Sequence, residues 1–242
     1  EFYTAYTPYQ PEISQGTLQA VFEFQTLICQ LTGMDAANAS MYDGASACAE
    51  AVLMAMRLTR RKKVLLSKAL NPRYRGVVAT YCRYLNMELV DVAVAADGCT
   101  DLEDLAAKLD DSTAVVVAGY PNYFGVIEDV AVLAEKSHEH GAKLVTAVAE
   151  PIALGLLKSP GELGADIVVG DGQSEPRGVQ RKKTTDRTAP MTHQIASTSA
   201  HIPSSQLPAG SMAAAVSGRN TLRIAWASHF SGKIDAKVCI HC

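Results

Sequence analysis

The sequence predicts an α/β domain built on a mostly parallel sheet. Short apolar segments alternate with longer segments of helical period from residue 64 onward. The apolar segments, such as Ala114–Ala118, run without polar interruption, as strands covered on both faces do. Each is followed by enough chain for a crossover helix, which joins parallel neighbours and turns right-handed.

In order, Ser14–Leu31 reads as a helix. Leu18, Val21, Phe22, Gln25, Ile28 and Cys29 fall near helical spacing, and Gly33 suits a left-handed C-cap. Ala45–Leu58 is a second helix, rich in Ala and Met. The cationic run Arg57, Arg60, Arg61, Lys62 and Lys63 closes it, where positive charge favours the helix dipole. Val64–Leu66 is a strand, and Pro72–Tyr84 is a helix opened by Asn71-Pro72. Glu88–Val92 is a strand, and Asp101–Leu109 is a helix with Asp101 as N-cap. Ala114–Ala118 is a strand. Glu128–His140 is a helix ended by Gly141, and Lys143–Val148 and Asp166–Val169 are two more buried strands. His138 and His140 lie two apart, so they do not share a helix face and make a poor metal pair.

Bulk properties exclude several classes. The 242 residues hold 48% hydrophobic side chains, yet no apolar run approaches the ~20 residues a membrane span needs. Six cysteines stand at 29, 48, 82, 99, 239 and 242, mostly in apolar or helical surroundings. They read as reduced thiols of a cytoplasmic protein. Cys239 and Cys242 form a CxxC without further ligands nearby, so no metal site is expected. The net charge of −3 is split unevenly: from Glu175 to the end, nine Lys/Arg face three Asp/Glu. The basic charges there are scattered and only Trp226 and Phe230 are aromatic, a poor footprint for nucleic acid.

The stretch Ser40-Met-Tyr-Asp-Gly-Ala-Ser-Ala47 carries the clearest chemical signal. A polar turn with a Gly runs straight into a helix, and helix N-terminal N–H groups beside a Gly make an anion cradle. An ordinary N-cap turn accounts for the same residues. Pro121-Asn122-Tyr123-Phe124-Gly125 reads as a strand-to-helix turn, in which Pro and Asn set the turn and Gly125 permits an unusual dihedral.

The run FYTAYTPYQPEISQGTLQAVFEFQTLICQLTGMDAANASMYDGASACAEA, Phe2 to Ala51, resembles the glycine cleavage system P-protein family, with weaker likeness to Ser174. The nearer likeness is to its N-terminal (alpha, subunit 1) polypeptide, where the family divides the protein between two chains. This resemblance implies the large domain of a type I pyridoxal-phosphate-dependent transferase, of aspartate aminotransferase type, incomplete here because the chain reads as a fragment. Residues 1–174 are expected to form that partial domain. Residues 175–242 are expected to be a non-family tail, disordered or out of frame, since the likeness stops within one residue of Ser174.

The resemblance also implies function. The family decarboxylates glycine on pyridoxal phosphate and passes the aminomethyl group to the lipoylated H-protein. As subunit 1, this chain would join glycine dehydrogenase subunit 2 (beta) in a heterotetramer whose pyridoxal phosphate the beta subunit holds, with no nucleic-acid or membrane partner. Tyr42, Asp43, Gly44, Ala45, Ser46 and Asn122 would face the cofactor position, while Tyr6, Tyr9, Gln10 and Glu12 would line an interface. No metal and no catalytic residue is implied: Gln173 stands where the catalytic half carries its cofactor lysine, and an amide cannot form an imine. Glu150 is the nearest candidate for a pyridine-nitrogen carboxylate, although it reads better as an exposed strand-end residue. The alternatives are a non-catalytic truncated scaffold, or a stand-alone aminotransferase-like enzyme using Lys68 or Lys143. Borohydride reduction of the chain after mixing with pyridoxal phosphate is therefore expected to label no single lysine stoichiometrically. Peptide mapping that finds one trapped site would overturn the assignment of Gln173.

Overall fold

The computed structural model describes residues 8–172 and 237–241. Tyr3, Tyr6, Gln173, Ser174, Cys242 and positions 175 to 236 lie outside the described residues, together with the expectations attached to them.

A 3-10 turn, Pro11–Ile13, leads into helix α1, Gln15–Thr32. Gly33 closes α1 with φ 70° and returns its N–H to the Cys29 carbonyl, the left-handed stop that glycine accepts without a Cβ penalty. Strand β1, Ala36–Ala37, precedes helix α2, Gly44–Thr59. There follow β2, Lys63–Ser67; α3, Pro72–Cys82; β3, Glu88–Val92; and α4, Leu102–Lys108. Then come β4, Thr113–Gly119; α5, Val130–Glu139; β5, Lys143–Val148; a second 3-10 turn, Pro151–Gly155; and β6, Ile167–Gly170. Strand β7 is Val238–His241.

Every neighbouring strand pair is parallel, and the seven-stranded order is β1-β7-β6-β5-β4-β2-β3. Alternation along each strand divides the core in two. Val64 and Leu66, Val115 and Val117, Val145 and Ala147, and Ile167 and Val169 meet α2 and α3 on one face. Leu65, Val116 and Ala118, Leu144 and Val148, and Val168 meet α4, α5 and Ile28 of α1 on the other. Both faces are buried, which is why the strands read as uninterrupted apolar runs.

The helix boundaries follow local chemistry. Asn71, Asp101 and Asp129 each cap a helix by accepting from Arg73, from Glu103 and Asp104, and from Val132 N–H respectively. Helix α5 starts at Val130, after the predicted Glu128, because Asp129 takes the cap and Glu128 is buried in a loop network described below. Helix α3 stops at Cys82, two residues before the predicted end. Strand β7 falls within the stretch assigned from sequence to a separate tail, yet belongs to the same compact unit as the sheet. Four residues are too short a run to register as a strand without the β1 and β6 edges that pair with it.

Helix α1 is less covered than the others: of its 18 residues only Ile28 and Thr32 are buried, while Phe22 is 68% exposed and Leu27 48%. Among the described residues no helix is long and apolar enough to cross a membrane. The thiols of Cys48 and Cys82 are buried, and burial pushes them up to about 12 and about 11.

The amino-terminal end of the sheet is tied by charge. Arg61 donates to the carbonyls of Thr113 and His140, and Lys63 pairs with Asp110 at 2.5 Å. Asp166 receives the Lys143 ammonium at 2.8 Å, the Leu144 N–H at 2.8 Å and the His138 ring at 2.7 Å. Burial works against its charged form, but those three donors outweigh burial and hold the carboxyl below its usual value. A carboxylate depressed in the folded state stabilises above its unfolded value, about 3.9, and that contribution is lost as pH falls through the folded value. Asp166→Asn should therefore flatten the fall of stability below about pH 4. Urea midpoints measured from pH 6 to pH 2 check this, and parallel acid slopes for the two proteins would refute it.

Candidate functional site

The carboxyl ends of parallel strands form the crevice where α/β folds present ligands. Helix α2 points its N-terminus at that edge. Asp43 is extended and caps the helix, accepting the Ser46 N–H at 2.7 Å, while the Ser46 hydroxyl accepts the Asp43 N–H at 3.2 Å. The same hydroxyl donates a short hydrogen bond to the Asp43 carboxylate. This bond and the N–H hold the Asp43 carboxyl below its usual range.

A second carboxylate reaches the same helix end. Asp171, one residue past β6, accepts the Gly44 N–H at 3.3 Å on one oxygen and the Tyr74 hydroxyl at 3.0 Å on the other. Tyr74 comes from the first turn of α3 and is buried. The three elements meet only because residue 44 is glycine: a Cβ there would lie 2.1 Å from the Tyr74 Oη and 2.7 Å from Asp171 Oδ2. Around this junction opens a cleft of about 530 Å³, lined by Asp43, Ala45, Asn71, Arg73, Tyr74, Gly76, Val77, Thr80, Ala149 and Asp171.

The structure brings together Asp43, Gly44, Ala45 and Ser46 at this helix end as the sequence predicts. Tyr42 is 90% exposed and does not line the cleft. Tyr9, Gln10 and Glu12 are exposed ahead of α1. Glu150 is exposed at the start of the second 3-10 turn.

Asn122 changes role. Its amide donates to the Gly98 carbonyl at 2.8 Å and to Glu128 at 3.0 Å, and accepts from the Phe124 and Val126 N–H groups at 3.0 Å each. All four positions of a carboxamide are thereby used inside the protein. Asn122 thus anchors the loop. Glu128 completes the network through the Thr100 N–H and hydroxyl, both at 2.9 Å, and Thr100 meets Ser67 at 2.7 Å. The loop so held presents Tyr123 and Phe124, packed edge to face and both more than half exposed, with Gly125 at φ 79°.

Sequence reasoning missed Tyr74 and Asp171. An Asp directly after a buried apolar strand was a usable signal, because such a residue stands in the crevice. Tyr74 carried none, since an aromatic in a helix's first turn is ordinary core. The alternative lysines do not line the cleft. Lys143 lies at the opposite end of the sheet, paired with Asp166, and Lys68 is exposed.

The donor set does not fit a phosphate. The Gly44 and Ser46 N–H groups already have carboxylate partners, and the two carboxylates would face an arriving dianion with like charge. Gly44→Ala tests the junction. Alanine is the better helix former, yet overpacking against Tyr74 and Asp171 should lower stability by about 1–3 kcal/mol. Tyr74→Phe should recover part of that loss in the double variant, read as non-additivity in denaturant unfolding. Strictly additive effects would show that the hydroxyl does not fill the space.

The family model described as glycine cleavage system P-protein matches residues 1–179. A protein named probable glycine dehydrogenase (decarboxylating) subunit 1 from Desulforamulus reducens is 62% identical over 174 residues, covering 72% of this chain and 39% of that protein. Its namesake from Anaeromyxobacter dehalogenans is 58% identical over 174 residues, with the same coverage, 72% and 39%. The chain thus spans about two fifths of the length of the curated relatives it matches. A crystal structure of glycine decarboxylase (P-protein) of the glycine cleavage system, in inhibitor-bound form, superposes with a TM-score of 0.66 at 48% identity, covering 74% of this chain and 40% of that one. The sphingosine-1-phosphate lyase of Burkholderia pseudomallei K96243, 13% identical with a TM-score of 0.51 over 60% of this chain and 36% of its own, shares the fold alone. The sheet is that of the type I pyridoxal-phosphate-dependent enzymes, and the match over residues 1–179 shows that this chain belongs to the glycine cleavage system P-protein family.

Proposed function

We propose that this chain is part of subunit 1 of a glycine dehydrogenase (decarboxylating) and serves as the non-catalytic half of the enzyme. In that role subunit 2 holds pyridoxal phosphate, which supplies the electron sink for glycine decarboxylation. The aminomethyl group then passes to the lipoylated H-protein, and the assembly works in the cytoplasm. The observation that carries this reading is the 62% identity to a subunit 1 polypeptide over 174 residues. The carboxylate-filled end of α2 supports the division of labour, because the Gly44 and Ser46 N–H groups that would cradle a cofactor phosphate are taken by the chain's own side chains. What this chain contributes is shape: α2, α3 and the 120–127 loop hold the carboxyl-end surface rigid. The apolar outer face of α1, with exposed Tyr9, Gln10 and Glu12 just ahead of it, supports a subunit contact there.

The test grafts residues 1–172 into a full-length subunit 1 in place of its own. Glycine–bicarbonate exchange is then measured with subunit 2 and lipoylated H-protein. Exchange close to that of the parent subunit is expected, and none when subunit 2 is omitted. A folded graft that supports no exchange would sink the assignment, and exchange without subunit 2 would sink the non-catalytic role.

A further inference from the structure

We propose that the gap between β1 and β6 is a peptide-binding site of the strand-addition kind, and that the segment 237–241 is its tethered ligand: the same segment supplied on a separate molecule takes the slot in parallel register. The inference goes beyond the role proposed in glycine decarboxylation and does not depend on it.

The slot is complete before its occupant is reached along the chain. Its walls are β1 and β6, and helices α1 and α2 lie over its two faces. All four elements fall within residues 1–179, the part that matches the family, whereas β7 begins at Val238. The family part of the chain thus supplies the site, and the part outside it supplies the strand. Left empty, the slot would be costly. Among the described strands β1 has no sheet neighbour other than β7, and β6, buried along its length, would keep unpaired backbone groups on one edge.

The segment is held as peptides are held by an open sheet, through main-chain bonds along its length and side chains at alternate positions. It pairs with both walls: Val238 stands opposite Ala36 and Ile167, and Cys239 opposite Ala37 and Val168. On the β1 side the Lys237 carbonyl accepts from the Asp35 N–H at 3.1 Å and the Ala36 N–H at 3.3 Å, and the Cys239 carbonyl accepts from the Asn38 N–H at 3.2 Å. The Lys237 N–H donates in turn to the Asp35 carboxylate at 3.0 Å. Those bonds read no sequence, but two side chains do. The Lys237 ammonium donates to the Gly161 carbonyl at 2.5 Å. Gly161 is itself fastened to the end of α1 by its N–H to the Thr32 carbonyl at 2.9 Å, so the acceptor is fixed in place. Cys239 is 1% exposed and packs in the apolar cluster that holds Ile28, Val148, Leu154 and Val168. The ligand class is therefore an extended peptide with a cation at the first position and a small apolar side chain at the third.

None of these contacts needs a covalent link to β6. At about 3.3 Å per residue, the chain between positions 171 and 237 exceeds the diameter of a domain of this size several times over. It raises the local concentration of the segment without dictating its register.

The experiment follows the fluorescence anisotropy of a labelled peptide with the sequence of residues 235–241, under reducing conditions, against the 242-residue chain and two variants that eject β7. Cys239→Asp places a charge at the buried position, and Ile240→Pro removes a main-chain donor from inside a strand paired on both sides. Both variants should bind the peptide saturably. The unaltered chain, whose tethered copy competes, should bind it at least roughly tenfold more weakly. Lys237→Met in the peptide should weaken binding about tenfold, and a peptide carrying Cys239→Asp should not bind. Where a variant loses helical circular dichroism, the unchanged peptide should restore it. A folded variant that ignores the peptide, or an unfolded one that it does not restore, would overturn the proposal. Equal binding by the unaltered chain, or of the reversed sequence, would place the peptide elsewhere and overturn it too.

Discussion

A parallel sheet buries both of its faces, and in this chain that requirement makes α2 lie across β4, β5, β6 and β7. A helix spanning four strands must come close to all of them, which explains its composition. Ala45, Ala47, Ala49, Ala51 and Ala55, with Cys48, are all buried against the sheet or α3. Small side chains shorten the interaxial distance, and the approach is felt at the helix end: it delivers Gly44 to the carboxyl edge of β6 within reach of Asp171. Larger residues along α2 would lift that end away and separate the Asp171 carboxylate from its donor.

The two ends of the sheet solve opposite electrostatic problems. At the amino-terminal edge, Asp166 gathers a lysine, a histidine and a backbone N–H, while Arg61 and Lys63 bind carbonyls and Asp110. These contacts staple loops and strand starts, and nothing about them leaves capacity for a ligand. At the carboxyl edge, Asp43 and Asp171 face a helix N-terminus, where negative charge is favourable. The same side-chain chemistry therefore closes one edge by ion pairing and the other by satisfying a helix dipole. Half-buried carboxylates without such partners would be costly, and Asp43, Asp166 and Asp171 each have them.

The 120–127 loop follows the same logic with a neutral anchor. Asn122 and Glu128 are buried polar groups, and a network of buried polar groups stabilises only when each member is satisfied. Their partners come from the Gly98–Thr100 turn and the loop itself, and Thr100 is tied in turn to Ser67 at the end of β2. The outcome is a rigid loop that can hold Tyr123 and Phe124 out in solvent, a conformation a floppy loop would not keep.

By itself the sequence determined the fold class, the order of its principal helices and strands and the turn that opens α2. Those features are encoded locally: apolar runs, helical spacing, Asp and Asn caps and the glycine at 33 act over a few residues. It also marked Asp43, Gly44 and Ser46, because a cap is a short-range pattern. The tertiary structure alone decided what stands at that helix end. Asp171 lies 127 positions from Gly44 and Tyr74 lies 97 from Asp171, and no local pattern couples residues so far apart. The place of β7 between β1 and β6 was decided the same way, since a four-residue strand exists only through its neighbours' hydrogen bonds. So was the role of Asn122, whose side chain could serve a turn or a ligand until Gly98 and Glu128 arrived from elsewhere in the chain to take both of its donors.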